Sequence, residues 1–193
     1  MSHQTPDKRG RKIALVVIDV QRKFTGSYIR EESCGREIDV INKAASMFRE
    51  HGRPVVFVRF EGESHCDFEG ADGDEYLHGI VTDPSDITVR KAHMNAFLGS
   101  RLADVVKGCG CDGVLLAGMI THCCVMGTYY GAGERGLGAY LLAGGTIAPD
   151  DSYNDASRVV CRTYSLADAE ENLRATRVDV PAGMFGTDHP CDP

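Results

Sequence analysis

An unbroken apolar run, Ile13-Ala14-Leu15-Val16-Val17-Ile18, constrains the fold of this chain more than any other feature. A half-exposed strand alternates apolar and polar residues. A run without alternation describes a strand covered on both faces, as in a parallel sheet held between two helical layers. Three further segments repeat the pattern: Pro54-Val55-Val56-Phe57-Val58-Arg59, Gly113-Val114-Leu115-Leu116-Ala117 and Gly138-Ala139-Tyr140-Leu141-Leu142-Ala143.

Helical spacings lie between these runs. Ile38, Ile41, Ala44, Ala45 and Phe48 share one face of a helix predicted over 37–51, and Gly52 stands where a C-terminal stop belongs. The pattern also predicts a short strand over 86–90, a helix over 97–106, one or two helices over 156–174, and a last strand at Arg177-Val178-Asp179-Val180. Residues 60–84 are rich in Gly, Asp and Glu and read as a long surface loop, with a short helical turn near Tyr76 and Leu77. Loops of that length often carry function. The alternation predicts a single α/β domain over residues 1–193, a three-layer α/β/α architecture with a mostly parallel central sheet, and a polar tail over 1–11.

The composition excludes several function classes. At 193 residues and 42% hydrophobic, the chain has material for one substantial core. A net charge of −7 opposes electrostatic binding of nucleic acid, and the basic run Lys8-Arg9-Gly10-Arg11-Lys12 is short. The opening residues lack the apolar centre of a signal peptide, and no apolar stretch approaches the roughly 18–20 residues of a membrane span. A cytoplasmic protein without nucleic-acid or membrane partners is expected. The eight cysteines are therefore expected to be reduced. Cys109-Gly110-Cys111 lacks the second pair that a tetrahedral metal site needs, and Cys191 falls in a polar tail expected to be exposed.

In open parallel sheets, ligands bind beyond the carboxyl ends of the strands. Asp19 follows the first strand, Lys91 follows the short strand ending at Arg90, and Gly118-Met119-Ile120-Thr121-His122-Cys123-Cys124-Val125 runs from the fourth strand into a helix. Thr121 is the expected N-cap of that helix. Backbone N–H groups and the positive helix end would then surround a cysteine sulfur, favouring thiolate and supplying donors to an oxyanion. A carboxylate that accepts the thiol proton and an ammonium that offsets its charge complete a catalytic set. Each residue also has a structural reading: Asp19 as a cap, Lys91 as solvated beside Arg90, and Cys124 as a small core residue.

Taken together, Leu15 through Phe24, Lys91 with Phe97 six residues on, and Gly118 through Val125 with Thr128 resemble the isochorismatase-like cysteine hydrolases. That group includes nicotinamidases, N-carbamoylsarcosine amidases and ureidoacrylate hydrolases, and the likeness runs from about residue 12 to about 145. It implies Asp19, Lys91 and Cys124 as catalytic residues, because the family's cysteine lies directly before a Val and three residues after a Thr. It implies a cis Met119–Ile120 peptide, with the N–H groups of Ile120 and Cys124 forming an oxyanion hole. It places Phe24 at the substrate, although Phe24 also suits simple core packing, and Gln21 is expected at the substrate because it follows Asp19 closely. It implies a small-molecule amide substrate, cleavage through a thioester without a redox cofactor, and assembly as a homodimer or homotetramer.

The chain departs from nicotinamidases in lacking an Asp-x-His pair after the second strand; Arg59 to His65 stands there instead. His65, Asp67 and His78 have metal-ligating chemistry but are expected to be solvated loop residues, so no metal is assigned. Two other readings stay open: hydrolysis of a vinyl ether with Asp19 as acid and the cysteine dispensable, and a ligand-binding or redox-sensing protein that uses the Cys123–Cys124 pair without turnover. A flavodoxin-like module is disfavoured because no Gly-rich phosphate loop follows the first strand.

Overall fold

The computed structural model describes residues 10–63 and 66–176. Six strands form one sheet in the order β3-β2-β1-β4-β5-β6, and every neighbouring pair is parallel. The strands are β1 (Ile13–Ile18), β2 (Val55–Phe60), β3 (Ile87–Lys91), β4 (Gly113–Met119), β5 (Gly138–Ile147) and β6 (Thr163–Tyr164). The helices are α1 (Gly35–Glu50), α2 (Leu102–Gly108), α3 (Met126–Gly133), α4 (Asp151–Val160) and α5 (Leu166–Ala175). The three-layer α/β/α architecture with a parallel central sheet is the one that the apolar runs require.

β1 shows why. All six of its residues are buried, and they divide by parity. Ile13, Leu15 and Val17 join a core with Ile41 and Phe48 of α1 and Leu173 of α5. Ala14, Val16 and Ile18 join the opposite core with Leu102 and Val106 of α2 and Ala132 of α3. Each large side chain so buried contributes roughly 1.5–3 kcal/mol, which makes β1 the spine of both layers.

β4 lies so close to β1 that it requires a glycine. Gly118 has φ +99°, and a Cβ there would stand 2.1 Å from the Ile18 carbonyl oxygen. Gly118→Ala combines backbone strain with overpacking, each worth about 1–3 kcal/mol, and is expected to destabilise the protein by roughly 3 kcal/mol in urea unfolding. An unchanged unfolding midpoint would refute this reading of the contact.

Several predicted elements move. The helix expected over 97–106 begins only at Leu102, because Gly99 adopts φ +64° and the Ser100 hydroxyl accepts from the Leu102 N–H at 3.1 Å. Tyr76 forms no helical turn; it makes an isolated antiparallel bridge with Gln21. Lys91 is the last residue of β3 instead of following it, and Gly138 opens a strand that continues to Ile147. Helix α4 starts at Asp151, where Asp150 accepts from the Ser152 N–H as an N-cap. The last strand expected over 177–180, His65 and Cys191 lie outside the described residues. No helix among the described residues is long and apolar enough to cross a membrane.

Candidate active site

The chain lays down β1, β2 and β3 in one direction and then returns to place β4 on the other side of β1. The strand order therefore reverses between β1 and β4, the place at which open α/β sheets bind ligands. Asp19 and Cys124 follow these two strands. Lys91 comes from the end of β3, two strands away, and reaches across on its long side chain.

The three side chains meet. Lys91 Nζ stands 2.6 Å from Asp19 Oδ2, and both residues are only 1% exposed. The ammonium also donates to the carbonyls of His93 (3.0 Å) and Met94 (3.3 Å), while the Phe60 ring centroid lies 5.2 Å from it. The charges of Asp19 and Lys91 both act on the Cys124 thiol. Asp19 itself has φ +50°, a left-handed conformation uncommon outside glycine that turns the chain out of the sheet just after β1. Such a conformation is maintained only where its surroundings hold it. The Asp19 N–H donates to Val58 O (2.9 Å), and its carbonyl accepts from Gln21 N (2.7 Å).

Burial sets the protonation chemistry. It raises the Asp19 carboxyl above the ordinary carboxylate value, with Lys91 opposing the shift. Burial, followed by the charge of Asp19, pushes the Cys124 thiol up to about 12. This reverses the expectation that the helix start would hold a resting thiolate. In the free protein the sulfur is a thiol, raised by burial and by the neighbouring Asp19 charge.

The segment that carries Cys124 is wound more widely than expected. Residues Thr121–Val125 form a π-helical turn leading into α3, and the Met119–Ile120 peptide is cis. Thr121 does not cap the helix. Its hydroxyl is buried and hydrogen-bonds with the Ile147 carbonyl (3.0 Å) and the Asn154 carboxamide (2.7 Å), tying the turn to β5 and α4. One turn beyond Cys124, the Thr128 hydroxyl accepts from Ala96 N–H (3.0 Å) and joins α3 to the loop that follows Lys91.

Phe24 lies in a 3-10 turn over Arg22–Phe24 and meets Phe60 edge-on, with centroids 5.6 Å apart. Gln21 is buried, and its carboxamide is bound to the backbone of Phe60. At the outer side of the turn, His122 stacks on Tyr153 at 4.2 Å and meets the Tyr28 hydroxyl at 3.4 Å. Burial lowers the His122 value, so the imidazole is neutral near pH 7. Asp67 accepts from Ser27 N–H (2.9 Å), and His78 is held by Glu31 at 2.9 Å; the two are committed to separate protein partners. Among the described residues, no three His, Cys, Asp or Glu side chains are arranged to hold a metal.

The strand-end rule found Asp19, Lys91 and Cys124 but passed over Phe60, which ends β2 by the same logic. Asn154 and Tyr153 carry no local signal, since their roles arise from how α4 packs against the turn.

An isochorismatase domain model matches residues 13–166, a span that includes all three converging residues. The chain belongs to the isochorismatase family. Among curated relatives, the isochorismatase family protein YrdC of Bacillus subtilis (strain 168) is 24% identical over 155 residues, covering 77% of this chain and 83% of that protein. Solved structures share the fold. The N-carbamoylsarcosine amidase of Thermoplasma acidophilum superposes with a TM-score of 0.68 at 24% identity, over 80% of this chain and 96% of that one. A cysteine hydrolase of Pseudomonas syringae pv. phaseolicola 1448A gives 0.71 at 14% identity, over 85% and 93%. This isochorismatase-family hydrolase thus places its carboxylate, ammonium and thiol at the switch point of the sheet.

Proposed function

We propose that this protein is a cysteine amidohydrolase that cleaves the C–N bond of a small amide, carbamoyl or ureido compound. The observation that carries the reading is the buried Asp19 carboxylate, which is paired with Lys91 at 2.6 Å and whose charge acts on the thiol of Cys124. A thiol near pKa 12 attacks only if its proton leaves as the bond forms. Asp19 accepts that proton while the sulfur adds to the carbonyl carbon. The N–H groups of Ile120 and Cys124 hold the resulting oxyanion.

When the tetrahedral centre collapses, the C–N bond breaks and Asp19 returns the proton to the departing nitrogen. A water molecule, deprotonated by Asp19, then adds to the thioester and releases a carboxylic or carbamic acid and the thiol. Lys91 stays charged beside Asp19 throughout and offsets the negative charge that moves between carboxylate and sulfur. We assign Phe24, whose ring meets Phe60 edge-on at 5.6 Å, to the acyl side of the substrate. The solved relative named as an N-carbamoylsarcosine amidase supports this choice of bond.

The test is ammonia release across a panel of primary amides, carbamoyl amino acids and ureido compounds. Release from at least one member by the purified protein is expected. A folded protein that yields no ammonia from any member but liberates pyruvate from isochorismate would replace the amide reading with vinyl-ether hydrolysis.

A further inference from the structure

β1 leaves the sheet one residue too early for its neighbour. It pairs with β2 as far as Ile18 opposite Val58, and Asp19 then turns away at φ +50°. β2 runs on to Phe60, whose N–H and C=O on that side have no strand opposite them. Gln21 fills the gap: its Oε1 accepts from Phe60 N–H at 2.7 Å, and its Nε2 donates to Phe60 O at 3.3 Å. A carboxamide carries the same donor and acceptor as a peptide group, so the side chain substitutes for the missing strand. The second N–H of Nε2 goes to Asp74 Oδ1 at 3.2 Å. The residue is 1% exposed, and its oxygen and both amide hydrogens are engaged within the protein.

Phe60 connects this clamp to the chemistry. It stands opposite Lys91 in the β2–β3 register, and Glu61 N–H donates to Lys91 O at 2.7 Å. Its ring faces the Lys91 ammonium at 5.2 Å, and the same ammonium stands 2.6 Å from Asp19. An aromatic face both attracts a cation and excludes water from it.

We propose that Gln21 is a positioning residue that clamps the backbone of Phe60 beyond the end of β1, so that the Phe60 ring covers the Lys91 ammonium and keeps it against Asp19. This replaces the expectation that Gln21 contacts substrate, and it rests on the reading of Asp19, Lys91 and Cys124 as the reacting set. Gln21→Met keeps the length of the side chain and removes both hydrogen-bonding functions. Phe60→Leu keeps the backbone clamp and removes the ring.

The test is the pH dependence of Cys124 alkylation by iodoacetamide, followed by mass spectrometry, which needs no substrate. Each variant is expected to slow alkylation at pH 7 roughly ten- to a hundredfold and to displace the pH profile in the same direction. The double variant is expected to lose little more than either alone, because both substitutions break one chain of contacts. Independent, multiplying effects would overturn the proposal, as would an unchanged profile in folded Gln21→Met. Should that variant fail to fold, an unchanged profile in Phe60→Leu overturns it equally. Wild-type alkylation that is indifferent to Asp19→Asn would instead locate the failure in the reading of the reacting set.

Discussion

Cys124→Ala is expected to reduce kcat by a factor on the order of 10⁴–10⁶, while Cys123→Ala stays within about threefold of the wild type. That loss corresponds to about 5–8 kcal/mol of transition-state stabilisation, the scale of removing a covalent nucleophile. The two thiols are neighbours in sequence but differ in surroundings. The charges of Asp19 and Lys91 act on Cys124, whereas burial and the nearby Cys66 thiol are what act on Cys123. The measurement is ammonia release on the best substrate of the panel, with circular dichroism to establish that each variant folds. Activity retained by Cys124→Ala and lost by Cys123→Ala would reverse the assignment. Activity retained by both would establish chemistry that proceeds without a thiol, as in vinyl-ether hydrolysis.

The second large effect concerns the buried ion pair. Asp19→Asn leaves the Lys91 ammonium at 1% exposure without a counter-charge, a defect that costs on the order of 3–5 kcal/mol. It also removes the proton acceptor and is expected to lower kcat by a further factor of about 10²–10⁴. Lys91→Met acts differently. Burial already raises the Asp19 carboxyl, and Lys91 is the main influence opposing that shift. Without the ammonium the carboxyl rises further and holds its proton to higher pH.

Only ionised Asp19 accepts the thiol proton, so the acidic limb of kcat/KM lies above the ordinary carboxylate range in the wild type. In Lys91→Met that limb moves to higher pH. The double variant Asp19→Asn/Lys91→Met removes both charges, so most of the stability returns in urea unfolding while activity stays lost. If the double variant is no more stable than Asp19→Asn, the two groups are not paired in the working protein. An acidic limb that moves down in Lys91→Met would contradict the assigned role of the ammonium.

Parts of the site are legible in the sequence because their signals are local. The apolar runs of β1 and β4 mark strands buried on both faces, and the residue after such a strand lies where ligands bind. Asp19 and the Cys123–Cys124 pair follow directly, and the choice of Cys124 comes from the resemblance to the family, whose cysteine lies before a Val and three residues after a Thr. Lys91 is harder to place. Its neighbour Arg90 is exposed and paired with Glu61, whereas Lys91 is buried, and nothing in the sequence of a short strand tells the two apart. The difference is the side of the pleat that each occupies, which depends on the register of β3 against β2.

What the sequence by itself determined is the layered α/β architecture and the strand ends at which Asp19 and Cys124 lie. These follow from periodicity and from residue types at short spacing. Only the tertiary structure decided the protonation states and the supporting contacts. The thiol of Cys124 is pushed up to about 12 by burial and by the charge of the Asp19 carboxylate. Gln21 binds the backbone of Phe60, 39 residues away, and Thr121 binds Asn154, 33 residues away. Desolvation and long-range hydrogen bonding depend on everything packed around a group, and that packing exists only once the strand order is established.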